Sequence, residues 1–304
     1  MMVDINRILC PVDFSEFSER AFEHAVAIAL WYKSAVTILH VVDVRLQTPD
    51  VPPIAPIALA PAVLTRTARE QIAMELQRLV ATAAATDVAI ETVVRDGRPD
   101  TVILELAAVL PADLLVMATH GRSGFDRLVM GSVTEKVLRK ASCPVLSVPP
   151  RGHGESRAPV ALKSILCPVD FSESSMEALQ CAVSLAEESD GSLTVLHVAD
   201  ALSPHDLPVY ELQNVAEFEA ERDRRLRQRL ATFVPGAARA YCTIEERVTS
   251  GKPWREILRV AQEQQTDLIV IGVRGRNSVD RALFGSTTEQ VVRQAVCPVL
   301  TLRT

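Results

Sequence analysis

Short apolar runs alternate with amphipathic stretches along the whole chain. The first run, 6–12, is apolar through Ile8, Leu9 and Cys10 and closes on Pro11 and Val12, the pattern of a strand buried on both faces. Asp13 follows at its carboxyl end. Ser15 is then placed to cap a helix, with Ser18 three positions on, whose apolar residues Phe22, Val26, Ala29 and Leu30 share one face. The same reading predicts strands over 35–42, 88–94, 113–118 and 144–148, and helices over 65–85, 100–110 and 133–140. Between the second strand and the next helix, prolines at 49, 52, 53, 56 and 61 exclude a helix, yet the stretch is too apolar for an ordinary solvated loop. A partner surface, a lid or a loosely ordered loop are the readings it leaves open.

The pattern then starts again. Ile8-Leu9-Cys10-Pro11-Val12-Asp13-Phe14-Ser15-Glu16 returns residue for residue as Ile165-Leu166-Cys167-Pro168-Val169-Asp170-Phe171-Ser172-Glu173, and Leu39-His40-Val41 as Leu196-His197-Val198. Strands are predicted over 163–169, 192–198, 240–248, 266–271 and 298–302, with helices over 174–187, 214–233, 254–263 and 288–295. A chain of 304 residues holds two ordinary domains. The expected organisation is a domain over 1–149, a linker over 150–162 and a second domain over 163–304. In each, strands and helices alternate, so right-handed crossovers give an open, five-stranded parallel sheet with helices on both faces, an α/β Rossmann-like fold.

Composition narrows the classes of function. A net charge of −6 lacks the clustered basic face that nucleic acid requires. No apolar run reaches the length of a membrane span, and the first residues lead straight into a strand, so the expected location is cytoplasmic. Cys10 and Cys167 lie inside apolar strand runs and Cys143 and Cys297 just before strand-opening prolines, and the six cysteines are expected to be buried, reduced thiols; zinc-site spacings are absent. The densely charged stretch 217–229 reads as a solvated helix face with pairs one turn apart.

Two glycine loops carry the candidate chemistry. One runs Ala118-Thr119-His120-Gly121-Arg122 and on to Gly131-Ser132-Val133-Thr134; the other runs Gly272-Val273-Arg274-Gly275-Arg276 and on to Gly285-Ser286-Thr287-Thr288. Each joins a buried strand to a helix start, where free N–H groups and the helix dipole attract phosphate. In a doubly wound sheet, ligands bind beyond the carboxyl ends of the strands. That places Asp13, Val41 and the loop from Met117 to Arg122 around one crevice, and Asp170, Val198 and the loop from Ile271 to Arg276 around another. Asp13 and Asp170 are placed to hold Mg²⁺ or to accept hydrogen bonds from an adenine or ribose; the plainer alternative is that each orders the strand-to-helix turn. His40 and His197 are read as packing residues. His120 has Arg274 as its counterpart, which argues against a shared acid–base role, and Ser132 and Ser286 have no partnered base. Walker A and the dinucleotide fingerprint are both absent.

Each half resembles a universal stress protein domain, and the chain resembles a tandem universal stress protein of the ATP-binding branch. The carrying residues are the Pro-Val-Asp opening, the His-Val of the second strand, the Gly-x-Pro turn, the late Cys-Pro strand and the signature Gly-x-x-Gly, nine residues, Gly-Ser. Gly272, Gly275, Gly285 and Ser286 match that signature in full; Ala118 is the departure in the first half, where its methyl would clash if the position needs positive φ or close ligand approach. The resemblance implies ATP, with Mg²⁺, held in the first domain by Pro11, Val12, Asp13, Val41, Met117, Ala118, His120, Gly121, Arg122, Gly131, Ser132, Val133 and Thr134. In the second domain it implies Pro168, Val169, Asp170, Val198, Ile271, Gly272, Arg274, Gly275, Arg276, Gly285, Ser286, Thr287 and Thr288. It further implies an internal pseudo-dimer of the two domains, homo-oligomers through the same pairing, a protein partner of unknown kind and a stress-response regulatory function without fast turnover. The alternatives are a slow ATP-hydrolysing enzyme and an interaction scaffold with vestigial nucleotide sites.

Overall fold

The computed structural model describes residues 4–43, 66–84, 86–121, 130–151, 160–199, 215–273 and 284–303. The proline-rich stretch 48–61 lies outside them. The chain divides into two compact units, Asp4–Arg151 and, among the described residues, 160–303.

The first unit runs β1 (Arg7–Val12), α1 (Glu16–Tyr32), β2 (Ala35–Val42), α2 (Arg66–Thr82), β3 (Ile90–Asp96), α3 (Pro99–Val109), β4 (Leu114–Ala118), α4 (Ser132–Lys140) and β5 (Val145–Val148). Its strands lie in the order β3-β2-β1-β4-β5, every pair parallel. The order reverses beside β1, so the crevice opens at the carboxyl ends of β1 and β4. All five residues of β4 are buried although successive side chains point to opposite faces, so both faces are covered. Asp113 fixes the register at the other end of these strands, its Oδ2 accepting from the N–H groups of Asn6 and Arg7, both at 2.9 Å.

The second unit runs β6 (Ser164–Pro168), α5 (Glu173–Glu188), β7 (Ser192–Ala199), α6 (Val215–Phe233), a 3₁₀ turn (Gly236–Ala240), β8 (Thr243–Ser250), α7 (Pro253–Glu263), β9 (Leu268–Gly272), α8 (Ser286–Gln294) and β10 (Val299–Leu302). The order β8-β7-β6-β9-β10, again parallel, repeats that of the first unit. Asp267 repeats the register lock, accepting from Lys163 N–H at 2.8 Å and Ser164 N–H at 2.9 Å.

Serine caps start both principal helices. Ser15 Oγ accepts from Ser18 N–H, and Ser172 Oγ from Ser175 N–H, each at 3.2 Å. Phe22, Val26 and Ala29 are buried on α1, but Leu30 is 47% exposed: Ala29 holds the core side of that turn and Leu30 falls past its flank. The third strand of the second unit starts at Thr243 instead of 240, because Pro235 and Gly236 open a 3₁₀ turn closed by Ala238 N–H on Pro235 O. Helices α4 and α8 begin at Ser132 and Ser286, earlier than the periodicity predicts, since Gly131 and Gly285 act as their N-caps.

All six cysteines are free thiols. Five are buried and Cys242 is half-buried. Burial pushes Cys10, Cys181 and Cys297 up to about 12 and Cys143 up to about 11. Such thiols stay protonated and chemically quiet. Among the described residues, no helix is long and apolar enough to cross a membrane.

Candidate functional site

The strand-to-helix turn after β1 is built around Asp13. Its Oδ1 accepts from Ser15 N–H at 3.0 Å and from Ser15 Oγ–H at 2.5 Å. Between them Phe14 is held at φ 63°, a left-handed conformation that bulky side chains rarely adopt. What offsets that strain is the ring's stack on His40, 4.3 Å between centroids. The imidazole in turn donates from Nδ1 to Val12 O at 2.9 Å. The second unit repeats each feature. Asp170 Oδ1 accepts from Ser172 N–H at 3.0 Å and Oγ–H at 2.5 Å, Phe171 sits at φ 63°, its ring lies 4.3 Å from that of His197, and His197 Nδ1 donates to Val169 O at 2.8 Å. The aspartates therefore do order the turn, with one oxygen apiece. The histidines are packing and locking residues. Periodicity passed over the phenylalanines, although they lie inside the stretch that repeats without a change.

The glycine loops are closed at their necks by backbone. Gly131 N–H donates to Thr119 O at 2.8 Å, and Gly285 N–H to Val273 O at 3.0 Å. Thr119 and Val273 are themselves anchored to the last strands, donating to Val148 O at 2.9 Å and Leu302 O at 2.8 Å. Thr134 Oγ1 donates to Ala118 O at 2.8 Å and Thr288 Oγ1 to Gly272 O at 2.9 Å. Both threonines are buried, so their hydroxyls serve the neck, and what these positions offer the crevice is backbone N–H. The first intrahelical bonds run from Glu135 N–H to Gly131 O and from Glu289 N–H to Gly285 O. Among the described residues, the N–H groups of Ser132, Val133 and Thr134, and of Ser286, Thr287 and Thr288, thus have no acceptor. Three aligned donors at the positive end of a helix make an anion cradle.

Close approach, not backbone conformation, explains two of the glycines. A Cβ on Gly121 would lie 2.8 Å from Asp13 Oδ2, so the loop leaves β4 directly against that carboxylate. A Cβ on Gly272 would lie 2.8 Å from the carbonyl oxygen of Ser174 at the start of α5. Gly272 does not have positive φ. Of the two conditions under which the Ala118 methyl would clash, positive φ is therefore not met at the matching glycine. A neighbouring helix start dictates the glycine at 272, and the Ala118 carbonyl accepts the same neck bond as Gly272 does.

The structure brings Pro11, Val12, Asp13, Val41, Met117, Ala118, His120, Gly121, Gly131, Ser132, Val133 and Thr134 to the carboxyl end of the first sheet. His120 is buried, with Nδ1 2.9 Å from Thr119 Oγ1 and its ring 6.0 Å from that of Phe17. Pro168, Val169, Asp170, Val198, Ile271, Gly272, Gly285, Ser286, Thr287 and Thr288 occupy the corresponding end of the second sheet. Arg122, Arg274, Gly275 and Arg276 lie outside the described residues. One group has no counterpart in the second half: Asp100, buried at the start of α3, lies 3.3 Å from Arg98 and 3.6 Å from Lys136 of α4. Burial works to raise its pKa, but the two cations outweigh it and hold the carboxyl below the usual range.

Comparison with known proteins agrees with this architecture. Over 147 residues the chain is 33% identical to a universal stress protein of Methanocaldococcus jannaschii, covering 47% of this chain and 81% of that one. Its fold is similar to the crystal structure of a universal stress protein from Archaeoglobus fulgidus, with a TM-score of 0.64 at 22% identity over 98% of this chain and 96% of the other. It is also similar to a functionally unknown protein of Pseudomonas aeruginosa, with a TM-score of 0.66 at 18% identity over 98% and 92%. The universal stress protein family profile matches residues 4–149 and again 161–303, and the chain, with its two parallel sheets and doubled crevice, belongs to the universal stress protein family.

Proposed function

We propose that each half of this chain binds an adenine nucleotide, ATP with Mg²⁺, and that the protein is a regulator of the stress response whose conformation shifts with occupancy instead of an enzyme of fast turnover. The observation that carries the reading is the pair of helix starts, each presenting three N–H groups without an acceptor among the described residues. Phosphate is the ligand class such a cradle suits best. The base and ribose would lie toward Pro11, Val12, Asp13 and Val41 in the first half, and toward Pro168, Val169, Asp170 and Val198 in the second. Asp13 and Asp170 are the carboxylates that would meet a magnesium ion carried by the triphosphate. Each keeps one oxygen engaged by its serine, which fixes the carboxylate in place for that contact.

Calorimetric titration of MgATP into the full chain tests the reading. Saturable binding of two nucleotides per chain is the expected result. Absence of saturable heat up to millimolar MgATP would sink it, and steady release of phosphate at several turnovers per minute would replace the regulator with an enzyme.

A further inference from the structure

The two halves differ in what lies over the strained phenylalanine. In the second half the guanidinium of Arg229, on α6, lies 4.1 Å from the centre of the Phe171 ring. Phe233, one helical turn further on, meets the same ring edge-on at 5.4 Å and 82°. With His197 at 4.3 Å, three groups grip one ring. That ring belongs to the residue held at φ 63° between Asp170 and its serine partner, so the grip bears directly on where the Asp170 carboxylate stands. In the first half, setting buried Leu76 of α2 against buried Leu230 of α6 puts Glu75 in the place of Arg229 and Leu79 in the place of Phe233. Glu75 pairs with Arg78 at 3.1 Å, and an anion has no attraction for an aromatic face.

We propose that Arg229 is a positioning residue for the second nucleotide site: by holding the Phe171 ring it keeps the Asp170 turn in its ligand-ready geometry. The proposal rests on the nucleotide-binding reading above. Arg229 itself is exposed, and helix α6 is held independently by buried Leu230 and by Val234, buried just past its end, so truncating the arginine leaves the helix in place. An exposed cation–π contact of this kind corresponds to about a two- to fivefold change in affinity.

The test is a MgATP titration of the full chain followed by amide hydrogen exchange, reading peptides over 168–175 and over 11–18 separately. Arg229→Ala is expected to raise the half-saturating MgATP for the second-half peptide about two- to fivefold. The first-half peptide should not move, and Arg229→Lys should recover most of the loss. Because the arginine acts through the ring, adding Arg229→Ala to Phe171→Leu should cost no further affinity. Wild-type titration in Arg229→Ala, or losses that multiply in the double variant, would overturn the proposal while leaving nucleotide binding intact. If neither peptide responds to MgATP in the wild-type chain, the nucleotide reading falls first and this inference with it.

Discussion

The crevice ends of the two sheets are near copies, whereas their outer edges have diverged. The nine residues from Ile8 to Glu16 recur unchanged, and with them the same φ at the phenylalanine, the same 4.3 Å ring contact with histidine and the same serine–aspartate bonds. At the edges the resemblance ends. Most of β3 is exposed, and a cavity of about 850 Å³ lined by Leu76, Val80, Ile90 and Val94 among others separates it from α2. Strand β8 is largely half-buried, with α6 packed on it. The duplication has kept the turn and the helix-start donors at the carboxyl ends of the strands and relaxed what covers the sheet edge. The helices of the outer edge are therefore where the halves acquire separate properties.

The largest expected difference between the halves is their response to acid. His24 is buried on α1, donates from Nδ1 to Arg20 O, and has Cys181 as its counterpart. Burial pushes its pKa down to about 4, against the hydrogen bond to Arg20 O and with the charges of Arg20 and Arg151. The folded value lies below the unfolded one, so between about pH 6.5 and pH 4 the unfolded chain binds more protons and stability falls as pH falls. That window is worth about 3 kcal/mol, confined to the first half. Denaturant unfolding followed by amide exchange should show it, and His24→Gln should flatten the pH slope there while leaving the second half unchanged. An equal slope in both halves would refute the assignment.

Next come the helix-start donors. Proline is tolerated at the first helical position, and Gly131 and Gly285, at ψ 139°, have the extended backbone that a following proline requires. Ser132→Pro and Ser286→Pro therefore delete one N–H and one hydroxyl apiece without breaking the helices. Losing a hydrogen bond to a charged phosphate costs about 1.5–3 kcal/mol, a ten- to hundredfold loss of affinity, in the substituted half alone. Unaltered MgATP affinity in both variants would show that phosphate does not sit there.

The smallest effect separates Gly272 from Ala118. Gly272→Ala forces a methyl against Ser174 and should destabilise the second half by about 1–3 kcal/mol. Ala118→Gly, which removes a methyl that fits, should cost about 1 kcal/mol or less and leave nucleotide affinity in the first half unchanged. Chemical unfolding read separately for each half checks both numbers. Improved binding in Ala118→Gly would restore the view that this methyl obstructs the site.

Much of this was legible in the residues. Apolar runs near β1, β4, β6 and β9, the cap at Ser15, and the loops entering α4 and α8 follow from spacing and side-chain chemistry alone. Other features depend on which elements approach each other, and spacing does not encode that. Thr134 and Thr288 stand where a phosphate ligand is expected, but their hydroxyls turn back to strand-end carbonyls. Gly272 left positive φ and close ligand approach both open, and in the fold its φ is not positive while a Cβ there would meet the Ser174 carbonyl. Arg229 belongs to a stretch that reads as a plain solvated face, and only the packing of α6 brings it onto Phe171. Leu30 failed for a local reason: a helical stripe has a flank, and the last residue of this one lies outside it.

The central claim is that helix-start amides in both halves receive the phosphates of a nucleotide. Its most direct test is calorimetric titration of MgATP into the wild-type chain beside a variant carrying both Ser132→Pro and Ser286→Pro. The account expects two sites in the wild type and a ten- to hundredfold loss at both in the variant, with the fold retained by circular dichroism. Equal affinity in the two proteins, or no binding to the wild type, would contradict it.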